Sequence, residues 1–166
     1  MPIRLTAAIA AVALVAGAGT AFADGGHDHG RDGDHDHDNA KVLKADLFGS
    51  MPDGPVLFGV KPGGAPWVIS RGEAEARRDG SVKVEVEGLI IPTTGTNPVN
   101  GIAATVYCGG TAVGTTKAYP FSADGDAKFE ARVAKSLPSP CLAPAVLLNP
   151  APNGTVAAAY IAATGA

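Results

Sequence analysis

The four histidines of this 166-residue chain are the side chains best suited to metal chemistry, and they all lie in one acidic segment. His27, His29, His35 and His37 form two His-x-His pairs interleaved with aspartates. Neutral imidazole is a good ligand for Zn, Ni and Cu, and carboxylates can complete the coordination. The spacing predicts a transition-metal site on these four histidines. The alternative is a solvated, low-complexity spacer with no metal as its purpose.

The rest of the chain has no histidine between residues 40 and 166, and this limits its catalytic chemistry. No imidazole is available there to activate Ser50, Ser70 or Ser122 as a nucleophile, and no G-x-S-x-G motif is present. A Ser–Lys arrangement stays open, although no S-x-x-K spacing indicates one. We therefore expect a protein that is not an enzyme, with no cofactor other than a Zn, Ni or Cu ion on the histidines.

Two cysteines, Cys108 and Cys141, are the only ones in the chain. In an exported protein, two cysteines within one domain predict a disulfide bond. A redox or metal–thiolate role is the alternative. It is the weaker interpretation because the chain has no C-x-x-C motif, and prolines surround Cys141.

The first 23 residues have the three parts of a secretory signal peptide. Arg4 supplies the positive start, an alanine-rich apolar run follows, and Ala21-Phe22-Ala23 forms a small-residue cleavage site. A membrane anchor is the alternative, but the apolar run is shorter than the roughly 20 residues that a stable span needs. We expect cleavage after Ala23, a secreted or otherwise extracytoplasmic protein, and no membrane span after cleavage.

Charge divides the remaining chain into two parts. Residues 24–40 contain six aspartates and one arginine, a net charge of −5, whereas residues 41–166 contain ten acidic and eleven basic side chains. The first part has almost no apolar side chain, which predicts a disordered tail. The second part has no basic patch, which argues against nucleic-acid binding. The partner is expected to be an unidentified extracellular ligand or protein.

Residues 41–166 have the pattern of a single all-β domain. Strict alternation over 81–87 places Val82, Val84 and Val86 on one face of a strand, and Asp79-Gly80 predicts the hairpin turn before it. Further strands are expected near the following segments: 42–48, 56–60, 67–77, 102–108, 112–121, 127–134, 145–148 and 156–163. Turn residues separate these segments at intervals typical of a β-sandwich. We therefore predict a single antiparallel β-sandwich, immunoglobulin-like only in general architecture.

The central hairpin also resembles a known family. Gly72-Glu73-Ala74, Asp79-Gly80-Ser81 and the segment 84–89 are similar to the hairpin of CHRD-type (chordin-repeat) secreted β domains. The resemblance covers about twenty residues and implies an extracellular β module. That family usually has a His-x-His after the hairpin, where this chain has residues 103–108 without histidine. A ligand role for that element is therefore in doubt.

Two functions follow from these patterns. The first is a secreted, non-enzymatic β-sandwich protein that acts as a binding or structural module for an unknown ligand. The second is an extracellular Zn, Ni or Cu binding protein that uses the histidine tail. Among the aromatic residues, Trp67 is the one that we expect near a sheet edge, because the Pro- and Gly-rich segment 62–66 precedes it.

Overall fold

The computed structural model describes residues 39–165, so the predicted signal peptide and all four histidines lie outside the described residues. Within 39–165 the chain forms eleven strands and one short 3-10 turn. The strands are β1 (Lys41–Gly49), β2 (Lys61–Pro62), β3 (Arg71–Arg77), β4 (Ser81–Glu87), β5 (Gly101–Cys108), β6 (Thr111–Thr115), β7 (Tyr119–Pro120), β8 (Ala127–Arg132), β9 (Ala145–Pro150), β10 (Ala159–Tyr160) and β11 (Ala162–Thr164). In this part of the chain, no helix is long and apolar enough to cross a membrane.

Eight strands form one antiparallel sheet, and this confirms the all-β prediction. Their order is β6-β5-β9-β11-β1-β3-β4-β8, and β7 also pairs with β5. The long strand β1 joins the two halves of the sheet: residues 41–46 pair with β3, and residues 47–49 pair with β11. The two layers expected from the sequence are therefore halves of a single curled sheet.

The inner faces of the two halves share one hydrophobic core. Val84 of β4, Val106 of β5 and Val146 of β9 are completely buried in the same cluster. The outermost strands also approach each other, because a Cβ atom added at Gly114 of β6 would lie 2.9 Å from Cβ of Val133, just after β8. The sheet thus encloses its apolar side chains by curling, which removes them from water.

The hairpin of β3 and β4 agrees with its sequence pattern. Val82, Val84 and Val86 point into the core, and the charged side chains between them point outward. At the turn, Gly80 has a φ of 87°, a conformation that glycine adopts without steric cost. The Asp79 carboxylate accepts a hydrogen bond from the backbone N–H of Ser81 at 2.9 Å, which stabilises the turn.

Several expected strands have different bounds in the structure. The segment 112–121 divides into β6 and β7 at Thr116, where the backbone N–H of Ala104 donates to the Thr116 hydroxyl at 3.0 Å instead of to a backbone carbonyl. The segment 156–163 divides into β10 and β11 because the Asn149 amide donates to the carbonyl of Ala159 at 2.7 Å and holds β10 outside the main sheet. There β10 pairs with β2 in a separate two-stranded sheet.

A second layer covers the outer face of β5, β9 and β11. Tyr107, Leu147, Tyr160 and Ala163 form a separate buried cluster on this face, with Leu57 packed against it. As a result, every residue of β5 is buried. Residues 51–62 and 159–160 form this additional layer. It covers the half of the main sheet that contains β5, β9 and β11 and not the half that contains β3, β4 and β8.

Trp67, the ring that the sequence singled out, is buried, with only 6% of its surface exposed. Its backbone N–H donates to the carbonyl of Ser50 at 2.8 Å, and its indole packs into the main core. The Pro- and Gly-rich segment before it turns the chain back toward Tyr160, because Gly63 N donates to the carbonyl of that residue.

Candidate binding cleft

The residues that the sequence singles out do not form a catalytic or metal site within 39–165. His27, His29, His35 and His37 lie outside the described residues, and among those described no group of three or more potential metal ligands comes together. Cys108 and Cys141 form the expected disulfide, with their Cα atoms 5.0 Å apart. The metal–thiolate alternative is therefore excluded for this pair.

The serines considered as nucleophiles have structural contacts. The Ser50 hydroxyl is buried and donates to the carbonyl of Tyr160 at 3.2 Å. The Ser122 hydroxyl accepts a hydrogen bond from the backbone N–H of Asp126 at 2.9 Å, within a turn. Both hydroxyls thus stabilise local backbone geometry.

The outward side chains of β1, β3, β4 and β8 form a charged face. Glu75 is its most enclosed carboxylate, with 13% of the side chain exposed; it pairs with Lys41 at 3.0 Å and with Arg77 at 2.7 Å. Burial alone raises the pKa of Glu75, but hydrogen bonds from Lys41 and Arg77 outweigh it and hold the pKa below its usual value. A cavity of about 330 Å³ beside this carboxylate is lined by both acidic and basic groups, including Lys83 and Glu130. Of these charged groups, Glu75 and Arg77 pair with each other, whereas Lys83 and Glu130 have no ion pair among the described residues.

The opposite half of the molecule carries an apolar cleft of about 480 Å³. Its side chains are hydrocarbon over most of the wall, from Leu57, Phe58, Ala143, Pro144, Ala145 and Leu147. Thr164 and Gly165 complete it. The Thr164 hydroxyl oxygen already accepts a hydrogen bond from the backbone N–H of Val146 at 3.0 Å. A concave apolar site of this volume with few polar groups is typical of small-molecule binding sites.

One wall of the cleft is a tight hairpin at residues 57–60. Leu57 and Val60 exchange backbone hydrogen bonds of 2.9 and 2.8 Å, which leaves Phe58 and Gly59 as a two-residue loop. Both loop residues have positive φ, 51° and 81° respectively, as a type I′ turn requires. The Phe58 ring stacks on Tyr107 with the ring centroids 4.5 Å apart. This stacking holds a bulky residue in a conformation that such residues rarely adopt.

The facing wall depends on the disulfide. Cys141 is tied to the end of β5 through Cys108, and Gly109 N donates to the carbonyl of Leu142 at 2.6 Å. These two links fix the segment that continues into Ala143, whose φ is 42°. Ala143 and Phe58 are two of the three residues other than glycine with positive φ in 39–165. Both line the cleft.

A second apolar groove of about 330 Å³ adjoins the cleft. The two cavities share Leu57, Thr164 and Gly165. The groove also contains Phe48 and Met51 at its rim and the ring of Tyr160. The Tyr160 hydroxyl donates to the carbonyl of Pro55 at 2.7 Å, which anchors the chain that forms one side of the groove.

Large apolar side chains are exposed around these two cavities. Phe48 is 60% exposed and Met51 50%, both at the groove, and Phe58 is 40% exposed at the cleft. Leu142 and Val56, also exposed, each neighbour a lining residue in the chain. Exposed apolar side chains grouped in this way mark interaction sites more often than those scattered singly.

The described side chains that line the cleft and groove are uncharged. No Asp, Glu, Lys or Arg among the described residues lines either cavity. Burial raises the pKa of the Tyr107 and Tyr160 hydroxyls, so both phenols remain uncharged at physiological pH. These side chains offer no ion pair to a charged group that becomes buried against them, so the cavities favour uncharged ligand atoms.

No sequence pattern predicted this cleft. Phe58 falls within a segment expected to be an ordinary strand, and only the Phe-Gly pair between two aliphatic residues could have indicated a tight turn. Ala143 carries no sequence signal for its positive φ, and the proline that follows it favours extended backbone instead.

Comparison of the chain with protein-family models, with characterised proteins and with solved structures finds no significant match. The resemblance to chordin-repeat domains is thus neither supported nor contradicted.

Proposed function

We propose that this chain is an exported, non-enzymatic binding protein whose β domain holds an uncharged apolar ligand in the cleft between residues 57–58 and 143–147. The apolar cleft is the observation that carries this proposal. Its volume of about 480 Å³ and its largely hydrocarbon walls suit a small molecule. The uncharged lining favours a ligand without formal charge, because a buried charge there gains no ion pair from these side chains.

The backbone geometry of the two walls supports binding over a purely structural role. A residue other than glycine in the left-handed region costs about 1 kcal/mol or more, and such strain persists where the surrounding structure enforces it. The hairpin and the stacking on Tyr107 hold the backbone of Phe58 at its positive φ. The disulfide-linked segment holds that of Ala143. Walls fixed before binding reduce the entropy lost when a ligand is bound.

The N-terminal sequence and the disulfide support export. Residues 1–23 have the pattern of a secretory signal, and structural disulfides persist mainly in oxidising compartments. Export would bring the cleft into contact with molecules outside the cytoplasmic membrane. The ligand is therefore expected to be an extracytoplasmic one.

A neutral fluorescent probe tests the binding proposal. N-phenyl-1-naphthylamine, titrated into the full chain, should give a saturable increase in fluorescence with one site per molecule. Phe58→Asn should weaken its binding at least fivefold. Asn-Gly is a preferred pair for this turn type, so the variant should keep its fold, with Trp67 fluorescence unchanged.

The matched control is Val156→Asn, at an exposed residue that lines neither cavity. It should bind the probe as the wild-type chain does. Absence of saturable binding by the wild-type chain, or equal binding by Phe58→Asn, would show that the cleft is not a binding site.

The histidine segment supports a second candidate function, capture of Zn, Ni or Cu. Two His-x-His pairs within eleven residues provide four imidazoles and several carboxylates to one ion. Calorimetric titration of the full chain should show Cu(II) binding most tightly. A variant with all four histidines replaced by asparagine should lose this binding but keep its affinity for the naphthylamine probe. Metal binding that survives in this variant would place the metal site elsewhere.

A further inference from the structure

We infer that the apolar cleft and the adjoining groove form one furrow, which takes the linear hydrocarbon chain of an uncharged lipid-like molecule. The inference rests on the proposed function, because it names the ligand class of the same site. It is drawn from the continuity of the two cavities, their lining and the distribution of charge around them.

The two cavities meet at three residues. Leu57, Thr164 and Gly165 line both of them, so cleft and groove are neighbours on the same side of the domain. Their volumes are about 480 and 330 Å³. A compact ring would fill the cleft alone, whereas a flexible chain can bend past Leu57 and occupy both.

The lining of the groove suits aliphatic carbon. Met51, Pro55 and Ala163 present hydrocarbon or thioether surface, and the flexible methionine side chain adapts to ligands of different shape. Phe48 and Met51 stand at the rim and are at least half exposed. Covering them with a hydrocarbon chain would remove their apolar surface from water, which is favourable.

The charge and shape of the two cavities favour this ligand over an anionic membrane surface and over a protein partner. An anionic membrane surface would be attracted by lysine or arginine at the rim, and none lines either cavity. A protein partner would favour a flat surface with a polar rim, whereas these sites are concave and apolar. A single neutral chain with its polar head at the solvent-exposed end fits the observations best.

A chain-length series tests the inference. Straight-chain 1-octanol, 1-decanol and 1-dodecanol would be used to displace N-phenyl-1-naphthylamine from the full chain. Each added methylene that is buried should increase the affinity about fourfold, from the transfer free energy of one methylene group. Naphthalene, a rigid ring, should bind with an affinity that does not depend on the groove.

Met51→Glu places a charge in the groove and leaves the cleft unchanged. We expect its affinity for 1-octanol to stay within twofold of the wild-type value, and its affinity for 1-dodecanol to fall at least tenfold. Val156→Glu, at an exposed site outside both cavities, should change neither affinity. Probe binding by the Met51→Glu variant checks that it is folded.

Each outcome separates the two proposals. Equal affinities for the three alcohols, or an equal loss for all of them in Met51→Glu, would overturn the hydrocarbon-chain inference, while probe binding keeps the proposed function. No binding of the probe or of any alcohol by the wild-type chain would overturn both.

Discussion

Phe58 and Ala143 adopt backbone conformations that side chains other than glycine rarely adopt. At the position of Phe58, an asparagine before Gly59 would suit the turn better, so turn preference alone does not explain the phenylalanine. Its ring covers Tyr107 and forms one wall of the cleft. The stacking explains the residue through packing, and the proposed ligand binding gives the ring a second role; no sequence pattern indicates either.

The charged face provides a prediction for a single residue, Glu75. Because its pKa is lowered in the folded protein, its ion pairs stabilise the fold above the unfolded value of about 4.3. This contribution is lost as pH falls through the folded pKa. Glu75→Gln should therefore lower the free energy of unfolding at pH 7 by up to about 1 kcal/mol, a value that allows for solvent screening.

Urea denaturation at pH 7 and at pH 3 measures this effect, and the difference from the wild-type chain should shrink toward zero at the lower pH. Glu130→Gln, on the same face and without an ion pair among the described residues, serves as the control and should change little at either pH. A deficit of equal size at both pH values would mean that Glu75 stabilises through packing instead of charge.

Local sequence patterns were sufficient to predict some strands and hairpins but not others. The β3–β4 hairpin follows its sequence because the Asp-Gly turn and the alternating valines specify the same register. The segments 112–121 and 156–163 were each expected as one strand. Each divides in two where a side chain bonds to the backbone of a residue at least ten positions away, the Thr116 hydroxyl to Ala104 N–H and the Asn149 amide to the Ala159 carbonyl. Contacts between residues distant in sequence cannot be read from local periodicity.

The disulfide provides a prediction for the segment that it holds. Replacing both cysteines, Cys108→Ser with Cys141→Ser, should lower the free energy of unfolding by about 3–4 kcal/mol, because a loop of 33 residues is released in the unfolded chain. Probe affinity should also fall, because the wall that contains Ala143 loses its link to β5. Denaturation and probe titration measure the two effects. Unchanged stability of the double variant would contradict the first expectation, and unchanged affinity the second.

For the whole molecule, composition and turn spacing predicted the all-β class but not the path of the sheet. The central position of β1 depends on pairing with β3 in one half and with β11, more than one hundred residues later, in the other. The outer layer of residues 51–62 and 159–160 has no sequence signature, since its strands have only two residues each. The cleft lies where this layer meets the disulfide-linked segment, so the sequence alone could not predict it.

The central claim is that an uncharged apolar ligand binds between residues 57–58 and 143–147. Nuclear magnetic resonance of the isotopically labelled full chain, titrated with 1-dodecanol, tests it most directly. The largest changes in backbone amide shifts should occur at Leu57, Phe58, Ala145, Leu147 and Gly165, with the amides of β3, β4 and β8 unchanged. Shift changes confined to the charged face, or none at saturating alcohol, would contradict the account.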